Sequence, residues 1–322
     1  MSKSVRLLVA LGRPEFVPAN SASLVIGISW GLALPIDVVW GLIVPAVLAF
    51  ATITLVAAFA AHINTLSDYE LDVEDETKRK LVEAMNQFGR RRLRQFMVVE
   101  LSVSLVLLLL LVVLEAKPVL LLMWAAAVFL AYAYSSPPLR FKSRSFLAVV
   151  TLMIVLSILP VTFVTYVFTN TLSFPFWVFL AGQAITVYAV IIPAEIRDYF
   201  ADKAKGVVTM TVRLGLRNAS LFGLTLLSVG GVLCGAGLVL GFLGGAVPLL
   251  AVFLAVMAAV YVHVLLKYLT LFRLSGKLVQ PEGQEKIERD IVELAAKNPK
   301  WITLITQSIV LMCLLLLIGK LL

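Results

Sequence analysis

Long apolar runs separated by short polar stretches dominate the chain. They lie near residues 17–35, 38–62, 96–114, 118–134, 146–168, 176–194, 219–241, 246–268 and 301–319. None alternates with the period of two that a membrane barrel strand needs. Their lengths lie close to the ~20 residues that cross a bilayer as a helix, and in lipid a helix satisfies its own backbone hydrogen bonds. The pattern predicts an all-α polytopic membrane protein with about nine transmembrane helices around a central cavity. No cleavable signal is expected, because the first run lacks a small-residue cleavage site and another run follows at once. Residues 282–297, "EGQEKIERDIVELAAK", differ: Ile287, Ile291 and Leu294 form one stripe among charges, which predicts a surface amphipathic helix after Pro281.

Composition agrees, with 61% hydrophobic residues in 322 and a mean hydropathy of +1.01. The charges add orientation. Of the 27 Lys and Arg, 25 fall before the first run or after an even-numbered one, leaving only Lys117 and Lys320 on the other side. The positive-inside rule then places the amino terminus and the even-numbered loops in the cytoplasm, with the protein in the cytoplasmic membrane. The net charge of +8 is a topology signal with anionic lipid headgroups as partners, and no nucleic acid is needed to explain it. Cys234 and Cys313 both sit in apolar runs and read as small core residues. His62 and His263 are too far apart in sequence to suggest a metal cluster.

Two acidic rows stand out. "HINTLSDYELDVEDETKRK" at 62–80 carries Asn64, Asp68 and Asp72; "PAEIRDYFADKAKGVVTMTVRLG" at 193–215 carries Asp198 and Asp202. Residues four apart share one helix face, so each row projects its side chains in one direction. Both rows follow even-numbered runs and belong at the cytoplasmic edge. Four helices separate them, which suggests a single domain over 1–322 built from similarly oriented halves, roughly 1–140 and 145–322. A parallel repeat would bring the rows face to face. Ordinary solvated helix ends would explain one row; two with matching spacing and depth call for a shared cationic partner. Magnesium takes few protein carboxylates and completes its shell with water and substrate phosphates, so two facing pairs suit two Mg2+ ions bridged by one diphosphate. Asn64 would add an oxygen, or a donor to a phosphate. Lys78, Arg79, Arg140, Lys142, Arg197 and Lys203 would offset the remaining charge. The rest of such a substrate must be hydrocarbon, which points to an isoprenyl diphosphate.

These segments, with "YSSPPLRFK" at 134–142, together resemble the UbiA superfamily of intramembrane prenyltransferases. That family has N-x-x-x-D-x-x-x-D near the end of its second span. It has Tyr-Ser followed by Pro-Leu and basic residues after its fourth, and D-x-x-x-D, then G-x-x-T, near the end of its sixth. All three occur here in order, and the resemblance covers nearly the whole chain. Two positions depart from it: Thr65 stands where many members carry Asp, and "VEDETKRKL" lacks the proline-rich basic stretch that often follows the last Asp. The resemblance implies Mg2+-dependent transfer of a geranyl, farnesyl, geranylgeranyl or longer group to a lipophilic acceptor, with release of pyrophosphate. An aromatic quinone precursor is the expected acceptor; the alternative is a prenylglyceryl phosphate in archaeal-type lipid synthesis. It further implies Asp68, Asp72, Asp198 and Asp202 as metal ligands. Asn64, Lys78, Arg79, Tyr134, Ser135, Arg140, Lys142 and Arg197 would bind the diphosphate, with Asp68, Asp198, Lys142 and Tyr134 most directly catalytic.

Tyr69, Tyr132, Tyr134 and Tyr199 are candidates to stabilise an allylic cation, although belt aromatics occupy the same depth. Glu195 is expected in a structural bridge to Arg197 or Arg140, or facing the cavity. Glu70 and Glu74 are expected in solvent. Glu100, inside a span, is expected to pair with Arg92 or Arg94 or to sit near the interface. "RRRLR" at 90–94 reads as an inside anchor, and "VGGVLCGAG" and "GGAV" as sites of close helix packing. A rival reading makes the protein a transporter with the carboxylates as ion-coupling sites, but such sites usually lie near the midplane on interrupted helices.

Overall fold

Helices follow the apolar runs, and several begin or end at identifiable polar residues. The computed structural model describes residues 3–12, 17–33, 36–74, 78–204, 206–242, 250–278 and 284–321, and among these every regular element is a helix. Arg13, Lys205, the GGAV stretch at 244–247 and Pro281 lie outside the described residues. Among the described residues, seven helical segments are long and apolar enough to cross a membrane: Val38–Asp72, Arg90–Glu115, Ser145–Phe168, Phe174–Ala204, Leu216–Gly241, Ala251–Lys277 and Gln284–Gly319. Two shorter apolar helices, Ser21–Gly31 and Val119–Ser135, stand where the first and fourth runs were expected to span.

Contacts divide the chain into two compact units. The first comprises residues 1–141 and 162–170. It contains α1 (Lys3–Leu11), α2 (Val17–Gly31), α3 (Val44–Asp72), α4 (Arg79–Phe88), α5 (Arg90–Glu115) and α6 (Val119–Ser135). A π-helical turn, Val38–Ile43, leads into α3. Asp37 starts that turn by accepting the N–H groups of Val39 and Trp40 at 3.0 and 2.7 Å, which would otherwise lack partners. A polar seam then ties the spans together. Trp124 of α6 donates to Ser104 of α5 at 2.9 Å, and Ser104 donates to the Thr52 carbonyl of α3 at 3.3 Å. One turn from Ser104, the buried Glu100 meets His62 of α3 at 2.9 Å. This corrects the expected pairing with Arg92 or Arg94: an ion inside a span takes the nearest buried partner on a neighbouring helix.

A second span partner comes from further along the chain. Helices α7 (Ser145–Met153) and α8 (Leu159–Phe168) are joined by a π turn, Ile154–Ile158, into one span, and the far end of α8 belongs to the first unit. There a Cβ on Gly27 would come within 2.5 Å of Val164, and one on Gly31 within 2.5 Å of the Thr165 carbonyl. The two glycines, four apart, let α2 and α8 approach at backbone distance. Beyond the end of α8, the Lys117 ammonium donates to the carbonyls of Tyr166, Val167 and Thr169 at 2.9, 2.8 and 3.3 Å, a cation at the negative end of a helix. Partial burial holds Lys117 below its usual pKa, against the opposing pull of Glu115.

The second unit comprises residues 142–161 and 171–322. It holds α7 and the start of α8, then α9 (Phe174–Ala189), α10 (Ile192–Ala204), α11 (Met210–Leu214), α12 (Leu216–Phe242), α13 (Leu250–Lys277), α14 (Gln284–Ala295) and α15 (Asn298–Leu321). Ser173 caps α9 by accepting the Phe176 N–H at 3.4 Å. At its other end the Ala189 carbonyl accepts the Tyr268 hydroxyl of α13 at 2.7 Å. Helices α9 and α12 form the tightest pair. A Cβ on Gly182 would lie 2.4 Å from the Cys234 nitrogen, and one on Gly237 2.4 Å from the Phe179 nitrogen. The helix expected after residue 281 is α14; it buries Ile291 and Ala295 and packs on α10 and α13.

Candidate active site

In the first unit, the end of α3 and the chain leaving α6 meet. Asn64 accepts the Ser135 hydroxyl through its side-chain oxygen at 3.1 Å. One turn on, Asp68 accepts Arg140 at 3.3 Å, and Ser67 lies 3.3 Å from Ser136, hydroxyl to hydroxyl. One turn further, Asp72 pairs with Lys78 at 3.6 Å. The motif ends of the second and fourth apolar runs are thus stitched at successive turns of α3. Proline cannot continue a helix, so α6 stops before Pro137 and Pro138. Arg140 follows in the left-handed region with φ 35°, its N–H on the Ser136 carbonyl at 2.9 Å. A side chain in that conformation costs about 1–2 kcal/mol, a cost that glycine would avoid at the expense of the ion pair to Asp68. Tyr134 is half-buried at the end of α6.

Other residues of this unit have different partners. Arg79 pairs with Glu83 at 3.0 Å and is 81% exposed. The Tyr69 ring lies beneath Arg90 at 3.7 Å, so one ring face is already covered by a cation. Arg90 also reaches Glu70 at 3.0 Å, so part of the basic anchor at 90–94 holds the loop edge of α3, and Glu70 stays 79% exposed as expected. Thr65 is buried and donates to the Leu11 carbonyl at 3.4 Å. An ionised carboxylate there only accepts and would face that carbonyl without a proton. His62 completes the dock of α1, its Nε2 lying 3.3 Å from the Leu8 carbonyl. A carbonyl only accepts, so this contact is a hydrogen bond when Nε2 donates.

In the second unit, α10 carries Asp198 and Asp202. Arg197 grips Asp198 with two bonds of 2.8 and 2.9 Å. Glu195 takes the structural role expected of it, through other partners. Its carboxylate accepts the Thr211 N–H at 3.1 Å, the Thr211 hydroxyl at 2.9 Å and the Tyr188 hydroxyl at 3.3 Å. This locks α10 to α11, whose first turn Thr209 caps by accepting the Val212 N–H at 3.2 Å. The "GVVTMTVRLG" stretch is therefore a brace for the acidic helix. Lys142 is half-buried on a 3-10 turn, Phe141–Ser143, ahead of α7, where the buried Ser145 donates to the Val208 carbonyl at 3.2 Å. Tyr199 is buried, and Tyr132 is 43% exposed.

No three His, Cys, Asp or Glu side chains gather around one point among the described residues. The donor chemistry nevertheless fits a hard divalent ion of the magnesium kind, which needs only one or two protein carboxylates. Asp68, Asp72 and Asp198 each hold a cation already, so the positions are built to keep positive charge close. Sequence reasoning missed the His62–Glu100 pair and the role of Thr65. The available signal was two ionisable residues inside consecutive apolar runs, each of which needs a partner.

A family model, the UbiA prenyltransferase family, matches residues 24–271. Comparison with curated proteins yields no match. Among solved structures, the chain is similar to a digeranylgeranylglyceryl phosphate synthase at 13% identity and a TM-score of 0.64, covering 97% of this chain and 99% of that one. It is similar to a UbiA homologue from Archaeoglobus fulgidus bound to GPP and Mg2+, at 16% identity and a TM-score of 0.64, over 93% and 99% of the two chains. The same homologue bound to DMAPP and Mg2+ gives 17% and 0.62, over 92% and 98%.

Proposed function

Since the chain belongs to the UbiA prenyltransferase family, and is thus an enzyme of the membrane rather than a transporter, we propose that it transfers an isoprenyl group from an isoprenyl diphosphate to a membrane-associated acceptor. The observation that carries this reading is the stitching of Asn64 to Ser135 and of Asp68 to Arg140. It sets carboxylate, amide, hydroxyl and guanidinium groups beside one another at the end of a span. The two units together form the transferase domain, with the helices crossing the bilayer nine times and the acidic rows on the cytoplasmic side.

Asp68, Asp72, Asp198 and Asp202 would hold magnesium, two ions in all, which when bound supplies Lewis-acid stabilisation of the diphosphate. Asn64 turns its oxygen to Ser135, so its amide nitrogen is the group suited to a phosphate oxygen. Arg140, Lys78, Lys142, Arg197 and Arg79 are the cations for the remaining phosphate charge, with Tyr134 as a hydroxyl donor and Ser135 beside them orienting Asn64. The allylic C–O bond breaks with its electron pair passing to the diphosphate. The carbon left electron-poor bonds to the acceptor, which loses a proton. Preorganised donors stabilise charge that grows on the leaving group, and apolar helix walls keep water from the cation.

The test is release of pyrophosphate by purified protein supplied with geranyl, farnesyl or geranylgeranyl diphosphate, with products identified by mass spectrometry. Hydroxybenzoate, dihydroxynaphthoate and prenylglyceryl phosphate as acceptors separate quinone-precursor from glycerolipid chemistry. Turnover that persists undiminished in chelator would sink the metal assignment. No prenylated product from any donor and acceptor would sink the reaction.

A further inference from the structure

Beside the acidic helix of the second unit lies a cavity of about 530 Å3. Its walls come from α10, the first turn of α12, and α13 and α14, and they include Lys203, Arg217, Ser275 and Glu288. Lys203 stands over the Tyr199 ring at 5.7 Å and Arg217 over the Phe272 ring at 5.3 Å. Among the described residues neither cation has a carboxylate partner within salt-bridge distance. Two cations against the one carboxylate of Glu288 leave the cavity positive.

Arg217 also heads a stripe on α12. Leu221, Thr225, Val229 and Val232 follow it at intervals of three or four, and all are exposed; Leu221 is 45%, Val229 44% and Val232 72% accessible. Residues so spaced share one helix face, and an apolar exposed face on a membrane-crossing helix belongs to hydrocarbon. The cavity therefore opens at the head of a lipid-facing track. We propose that it binds the phosphate headgroup of an anionic membrane lipid, whose chain runs along that track. A free phosphate or pyrophosphate would use the two cations but not the apolar stripe. Lys203 sits one residue from Asp202, so an occupying lipid would brace the helix that carries the second acidic row.

Native mass spectrometry of the full-length protein in mixed phosphatidylglycerol and phosphatidylcholine tests this without reference to turnover, and so independently of the transferase reading. Wild type should retain phosphatidylglycerol in preference to phosphatidylcholine. Lys203→Gln with Arg217→Gln should lower that retention roughly 30-fold, each cation near a membrane surface being worth about fivefold. Should the double variant fail to fold, Arg217→Gln alone should lose about fivefold, and Glu288→Gln should gain by a comparable factor. Equal retention of the two lipids, or unchanged retention in the cation variants, overturns the site. Displacement of the lipid by millimolar pyrophosphate overturns the lipid as its occupant in favour of a free phosphate ligand.

Discussion

At single residues, charge is held by partners that differ in what they tolerate. Asp68 is paired with Arg140 at 3.3 Å and is not buried outright, so Asp68→Asn should keep the fold and abolish turnover. Melting temperature beside product formation checks both halves of that expectation. Arg140 occupies a left-handed position that suits glycine. Arg140→Gly should therefore stabilise the turn or leave it unchanged while lowering kcat. A drop in melting temperature with kcat unchanged would show the arginine to be purely structural. Glu100 is the opposite case, since its partner His62 is 2% exposed and has nowhere to find water. Removing one member of a buried pair costs about 3–5 kcal/mol, so Glu100→Leu should melt well below wild type in detergent. Glu100→Gln, which can still donate to Nδ1, should recover most of the loss.

At the level of elements, what matters is which helix a polar side chain anchors. Thr65 and His62 hold the last carbonyls of α1, and Leu7, Leu8 and Leu11 pack with Met85 of α4 and Leu93 and Met97 of α5. Thr65→Val should cost about 1 kcal/mol, the net worth of one hydrogen bond. Thr65→Asp, which matches the commoner family pattern, should cost more in this chain because it puts an acceptor against an acceptor. Limited proteolysis near residue 13 reads the release of α1 directly, and protection equal to wild type in Thr65→Asp would refute the docking role. Helix pairing follows the same logic. Gly182 faces the Cys234 backbone with no room for a Cβ, so Gly182→Leu should force α9 and α12 apart and abolish folded expression.

For the whole molecule, the lopsided basic residues carry the orientation. With cysteine placed at Asn170 or Leu278, a membrane-impermeant reagent should label the first from outside and the second from the cytoplasm; the reverse pattern would overturn the sidedness of both acidic rows. Lys142 tests the diphosphate clamp at the same scale. Lys142→Ala should lower kcat on the order of 10²-fold, as for loss of one preorganised charge-stabilising donor. Lys142→Arg should rescue only in part, because a flexible point charge and a planar fork present donors differently. If the residue served only as a lipid anchor, arginine would restore full activity.

Several features were legible in the chain itself because they depend on composition along one axis. The apolar runs had to become helices, since lipid offers the backbone no other partner. The spacing of Asn64, Asp68 and Asp72 had to share a face, since helix geometry is fixed. The motifs at 64–72, 134–142 and 198–215 marked the family. Partner choice was different. Glu100 took His62 rather than an arginine six or eight residues away, Tyr69 took Arg90 across its face, and Glu195 took Thr211 and Tyr188. Each of those contacts except Glu195 with Tyr188 spans more than a dozen residues of chain. Side-chain reach across packed helices is set by their rotation and depth, which local periodicity does not encode. Thr65 makes the same point: a departure from the family pattern on paper, it became a donor to α1 only once folding brought the Leu11 carbonyl within 3.4 Å.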